Sequence, residues 1–298
     1  MIQHFLSAAV TAKLCFFAVL PLLVPVSVNA QAWSPDGKKI AFFYIHTIED
    51  IYLVNSDGSD FEIVDKHAAR DFAPQWSPDG RNIIFTSVRD GHHELYKLDL
   101  DSKSLKRLTN TASDSQDGCY SPNGKYIIFS GNRNGNAELY RMDKNGAHLR
   151  QLTFTPDFDE HSPKWSSDGK KIVFVGKAKG EESDIWIMDS AGKKRTRITQ
   201  TPEPEFHASL SKDGTKISYI KVYDGAFEVH RVDINGKNDR VLVRKKGYQA
   251  FFPHWSPDGK FIAFTRDVME GTVPGLPALY KVDMEGNEQL ISDKNSFR

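Results

Sequence analysis

The chain has 298 residues, 39% of them hydrophobic and 26% charged, a balance that excludes a disordered chain and allows a well-filled core. Lysine plus arginine and aspartate plus glutamate both total 39, so no overall field draws the protein to nucleic acid or to anionic lipid. Length alone permits one large domain or two ordinary ones.

The first element in chain order is a leader. Lys13 precedes a largely apolar run from Leu14 to Val28, which carries Pro21 and Pro25 and is followed by Asn29 and Ala30. A run of about fifteen residues falls short of the roughly twenty that a membrane-spanning helix needs, and the small residues Val28 and Ala30 suit cleavage after Ala30. Residues 1–30 therefore read as a signal peptide and 31–298 as an exported domain, periplasmic or secreted, with no stable membrane span. Cys15 lies in the leader, so the mature chain keeps only Cys119 and forms no internal disulfide.

Six copies of one pattern follow: WSPDGKKIAF from Trp33, WSPDGRNIIF from Trp76, YSPNGKYIIF from Tyr120, WSSDGKKIVF from Trp165, LSKDGTKISY from Leu210 and WSPDGKFIAF from Trp255. Their spacings of 43, 44, 45, 45 and 45 residues suit four-stranded propeller blades. In the S-P-D-G copies the proline, aspartate and glycine build a tight hairpin turn between two strands. The apolar run after it, such as Ile83-Ile84-Phe85, suits a strand covered on both faces. A third strand ends in aspartate at Asp99, Asp143, Asp189, Asp233 and Asp283, and a fourth closes with Leu108-Thr109, Leu152-Thr153 or Ile198-Thr199. The predicted fold is all-β, a six-bladed β-propeller of four-stranded antiparallel blades at about 31–66, 67–110, 111–155, 156–201, 202–246 and 247–298. Ring closure hides the strand edges, and the aromatics that end the inner strands wedge between blades. Cleavage after Ala30 leaves only Gln31 and Ala32 ahead of Trp33, so the first inner strand is either short or completed by residues from Val26 onward.

The pattern W-S-P-D-G-K-x-I-A-F, then x-I-Y-x-x-D-x-x-G, then R-x-L-T, resembles the TolB-like propeller family from about Trp33 to Ser292. The resemblance implies the propeller without the smaller α/β domain that precedes it in TolB. It also implies a role in binding, although prolyl-oligopeptidase-type enzymes and sugar lyases use similar blades.

A residue type that recurs in every blade serves the blade, whereas a partner site is asymmetric. Asp36, Asp79, Asp168, Asp213 and Asp258 recur in turns and read as structural. Arg89 with Glu94 and Arg133 with Glu138 read as pairs that close a hairpin. The segments entering the inner strands gather at one channel mouth and differ in charge. Blades three to five bring Asp114 and Asp117, then Asp157, Asp159 and Glu160, then Glu203 and Glu205; blades two and six bring Lys66 and Arg70, then Arg244, Lys245 and Lys246. One half of the mouth is predicted acidic and the other basic, suiting a protein or peptide whose ends differ in charge; polar loops of no special role would look similar. Phe158, Phe206, Tyr248, Phe251 and Phe252 are candidate apolar anchors, or else inter-blade packing. The loop from Asp267 to Pro277, with Met269 and Pro274, is a second candidate contact.

His161, His207 and His254 lie four, three and one residues before the aligned aromatic position. Strand alternation is expected to point them apart, so no metal and no cofactor is predicted. The chain has no G-x-S-x-G elbow and no phosphate-binding G-x-x-x-x-G-K-[ST] loop. It is expected to be a monomeric, non-enzymatic binding scaffold. The competing expectation is a carbohydrate-active lyase or hydrolase working through Asp157, Asp159, Glu160, His161 and His207.

Overall fold

The computed structural model describes residues 28–45, 49–245, 247–268 and 278–292. The leader up to residue 27, Lys246 and the Met269–Pro277 part of the candidate contact loop lie outside the described residues.

Among the described residues, twenty-four strands group into four-stranded antiparallel units. In the second unit β5 (Asp71–Trp76), β6 (Asn82–Ser87), β7 (Glu94–Asp99) and β8 (Leu105–Arg107) pair in sequence order. The innermost strands of the other units are β1 (Val28–Trp33), β9 (Ser115–Tyr120), β13 (Phe158–Trp165), β17 (Glu205–Leu210) and β21 (Tyr248–Trp255). The last two units share one sheet, because β19 (Ala226–Asp233) also meets β21 through a single parallel pair, Phe227 with Gln249. β1 begins at Val28, which pairs with Tyr44, so this strand includes the three residues that cleavage after Ala30 would remove.

The consecutive apolar residues of each second strand are explained by the six hydrophobic clusters, one at each junction between units. Ile83 packs with Ala41 and Phe43 of the preceding unit, and its neighbour Ile84 packs with Tyr120 and Ile127 of the following one. A period of two thus divides one strand between two interfaces. Trp33, Ile40 and Phe42 meet Ala263, Leu279 and Ile291 of the last unit, which closes the ring. The largest fully buried side chains include Phe42, Phe85, Phe129 and Phe264. They stack on Tyr52, Tyr96, Tyr140 and Tyr280 of the adjoining third strands, with ring centroids 5.7–6.0 Å apart. Each such ring stabilises the fold by about 1.5–3 kcal/mol through burial alone.

The turns behave as the sequence demands. Asp36 accepts from the Ser34 hydroxyl at 2.6 Å and from the Lys38 amide at 3.1 Å, and these bonds hold its carboxyl below the usual carboxylate range. Gly37 takes the left-handed φ of 71° that the turn requires. The turns also touch around the ring: Pro35 lies against Gly80, Pro78 against Gly124, Pro122 against Gly169 and Pro257 against Gly37. Ser167 and Lys212 stand where the other copies have proline, and the glycines they would cover, Gly214 and Gly259, have no such neighbour.

Both expected hairpin pairings differ. Glu94 is held by Arg107 at 3.0 Å, not by Arg89, which instead bridges Asp65 and Asp71. Glu138 accepts from the Thr155 amide, while Arg133 reaches the Ser115 hydroxyl and lies over the Phe129 and Tyr140 rings. The acid that opens the third strand faces the end of the fourth strand, so an arginine there wins: Arg197 pairs with Asp184 and Arg244 with Glu228 in the same way.

Candidate functional site at the channel

The crossover segments at the mouth are positioned by the R-x-L-T pattern. The Thr109 hydroxyl accepts the Leu95 amide at 2.8 Å, extending the ladder where β8 ends, and Glu94 then accepts the Thr111 amide at 2.7 Å. Thr153 and Thr199 repeat the bond to Leu139 and Ile185 at 2.9 Å. These three crossovers are therefore pinned to their own blades before they enter the next.

This pinning uses much of the predicted acidic half. Glu160 and Glu205 are fully buried, so a partner on the surface could not touch them. Glu160 pairs with Arg195 at 2.8 Å, and Glu205 accepts from the Thr201 hydroxyl at 3.0 Å. Burial pushes both carboxyls up to about 7. Asp159 is engaged by the Ala137 amide, and Glu203 by Lys221 at 3.3 Å. Asp157 stays open to solvent, its side chain 72% exposed beside Lys179. On the basic side Arg244 spans Glu228 and the Tyr223 ring, and Lys245 lies over Tyr248. Among the aromatics, Phe158 packs edge-on against Trp186 under Arg195. Phe206 joins the cluster between the last two units, and Phe251 meets Phe227 at 5.0 Å. An aromatic not singled out from the sequence, Phe154, is 73% exposed on the crossover next to Asp157. It follows the Leu152-Thr153 anchor directly, where the other blades have Asn110, Gln200 or Arg244.

All six innermost strands break register three residues before the aligned aromatic position. Ala73, Asp117, Ser162, His207 and Phe252 occupy that place with φ of 50–59°. Such bulges are rare left-handed sites for non-glycine residues, and they turn these side chains toward the channel. The residues one before the aromatic share this face: Gln75, Lys164, Ser209 and His254 line the same cavity. His207 and His254 therefore converge, contrary to the expectation that they point apart, because offsets of three and one have the same parity. His161, at four, is not in the cavity lining.

The His207 ring lies 3.7 Å from that of Phe252, and its Nδ1 is buried without a partner. Burial, with Lys164 nearby, pushes the His207 imidazole down to about 3 and that of His254 to about 4. Burial also lowers the Lys164 ammonium. Ser162 donates to Asp117 across the cavity at 3.1 Å. Lys164 was missed in the sequence although it is asymmetric: its equivalents are Ala32, Gln75, Cys119, Ser209 and His254. No group of three or more histidine, cysteine, aspartate or glutamate side chains suited to a metal occurs among the described residues.

A closed ring of such blades, with pinned crossovers around one mouth of a polar channel, defines a β-propeller. The TolB beta propeller domain model matches residues 25–183 and 160–295, and the chain belongs to that family. In structure it resembles a candidate TolB of Agrobacterium tumefaciens, with a TM-score of 0.70 at 25% identity over 82% of this chain and 88% of the other. It likewise resembles TolB of Acinetobacter baumannii, with a TM-score of 0.68 at 27% identity over 78% of this chain and 57% of that one. The Tol-Pal system protein TolB of Francisella tularensis is 24% identical over 72% of this chain, which spans 40% of that protein's length.

Proposed function

We propose that this propeller is an extracytoplasmic scaffold, periplasmic or secreted, that receives a protein or peptide at the mouth ringed by its crossovers. The observation that carries the reading is Phe154: a large aromatic left 73% exposed on a pinned crossover, with the open carboxylate of Asp157 three residues on. An exposed aromatic on a fixed support is the usual anchor of a protein contact. Lys245, on a separate crossover, supplies charge of the opposite sign, and Lys246 follows it in the sequence. Membership of the TolB propeller family, one relative of which is named for the Tol-Pal system, supports a place in a cell-envelope complex. Glu160 is buried, Asp157 faces solvent and His207 lies in the channel, which favours the binding reading over a carbohydrate-active site.

The test is affinity capture from an envelope extract, followed by calorimetry with the captured partner. Phe154→Ala should weaken binding by about 2 kcal/mol. Replacing Lys245 and Lys246 by glutamate should weaken it at low salt and much less at high salt. Arg244 is left in place because its guanidinium holds buried Glu228. Partner binding indifferent to both changes would refute the mouth as the contact.

A further inference from the structure

We propose that the channel wall formed by Lys164, His207 and His254 is an anion site that takes a monocarboxylate. The Lys164 side chain lines the cavity, and its ammonium makes no hydrogen bond or ion pair among the described residues. The acid sharing that cavity, Asp117, is engaged by Ser162. An ammonium in protein surroundings with no direct ion pair, offset only by the more distant charge of Asp117, is costly to bury, and an arriving anion lowers that cost.

The two imidazoles add directional groups. His207 Nδ1 has neither partner nor solvent, which favours the lone pair there and leaves Nε2–H as the ring's donor. His254 is the complement: its Nδ1 lies 3.2 Å from the Trp255 carbonyl and so carries the proton, leaving Nε2 to accept one. An anion bound beside Lys164 would favour protonation of His254, and binding then tightens as pH falls. The titratable groups around the cavity are Asp117, Lys164, His207 and His254, with Cys119 near Lys164.

Size and charge select the ligand. A cavity of about 40 Å³ holds a few waters or a carboxylate. One ammonium facing one aspartate does not balance a dianion such as phosphate, whereas Ala73 and Phe252 offer apolar surface to the carbon that carries a carboxylate. The carboxylate could belong to a free acid or to the end of a polypeptide entering the channel.

The site does not depend on the reading of the mouth, because it is tested without any partner and its failure would leave that reading untouched. Acetate is titrated into the protein while the histidine ring nitrogens are followed by NMR. Millimolar acetate should shift the His207 and His254 signals, and orthophosphate should bind more weakly. Lys164→Met should lower acetate affinity about ten-fold or more, since a charge-assisted bond is removed. Asp117→Asn should raise it several-fold by removing repulsion, an opposite effect that carries the test should the lysine variant not fold. Alanyl-alanine binding like acetate, while its C-terminal amide does not, supports the site and assigns it to a chain terminus; acetate binding alone supports it as a site for free acids. No shift with acetate, an unchanged affinity in Lys164→Met, a weaker one in Asp117→Asn, or phosphate binding tighter than acetate would each overturn the proposal.

Discussion

Replacing Glu205 by glutamine should flatten the pH dependence of stability. Glu205 is 0% exposed; one carboxylate oxygen accepts from Thr201 and the other has no partner. Burial is the largest cause of the rise from 4.5 to about 7; the hydroxyls of Thr199 and Thr201 oppose it, and Asp184 adds to it. A carboxyl that keeps its proton more tightly in the fold than in the unfolded chain contributes its full stability below the unfolded value. That stability is lost as pH rises through about 7. Across the window the loss amounts to about 3 kcal/mol. Glutamine keeps the shape and cannot ionise. Urea unfolding of the wild type and Glu205→Gln between pH 5 and pH 8 measures the difference directly. The wild type should lose about 2–3 kcal/mol relative to the variant across that range. Glu160 titrates in the same window in both proteins, so it cancels in the comparison. Parallel profiles would show that Glu205 is already ionised in the fold, and the reasoning from burial would fail.

Gly146→Ala should cost about 2 kcal/mol or more, because φ is 91° and a Cβ would sit 2.6 Å from the Leu108 carbonyl; Gly91→Ala, with a φ of 92° and open space, should cost about 1 kcal/mol. Equal losses in denaturant melts would mean that the close approach to the preceding blade is unimportant. Thr109→Val should cost about 1–3 kcal/mol by leaving the buried Leu95 amide without its acceptor; a neutral result would remove the threonine from the ladder. A chain starting at Gln31 should melt below one starting at Val26, since it lacks the Val28–Tyr44 and Asn29–Phe43 pairs. Identical melting of the two would show that those pairs contribute nothing.

The fold was legible because its determinants are local and repeated. The S-P-D-G turns, the paired isoleucines of the second strand and the L-T pair each specify the same geometry in successive copies, and period-two alternation turns those strings into blade junctions. Which acids remain free was less legible, because that depends on partners far away in sequence. Glu160 reaches Arg195, and Glu94 chooses Arg107 over Arg89 through strand pairing that no local spacing reveals. The channel was misjudged for a different reason. Offsets of three and one from the aromatic share a parity and so a face, whereas the bulge at the third position does not show in residue type: alanine, aspartate, serine, histidine and phenylalanine all occupy it. Lys164 and Phe154 were within reach of the asymmetry criterion, had it been applied position by position as well as by residue type.

The collar of proline against glycine is interrupted on both sides of the fifth blade, where Ser167 and Lys212 replace proline. Four of the six seams are thus buttoned by proline at that rim and two are not; across the first of these two the Ser167 hydroxyl donates to the Lys212 carbonyl instead, which leaves, among the described residues, only the second without a tie at that rim. Under strain such a torus has a built-in place to gape: backbone amides of residues 205–243 should exchange with deuterium before those of the second and third blades. Uniform exchange around the circle would mean that the missing buttons carry no mechanical weight.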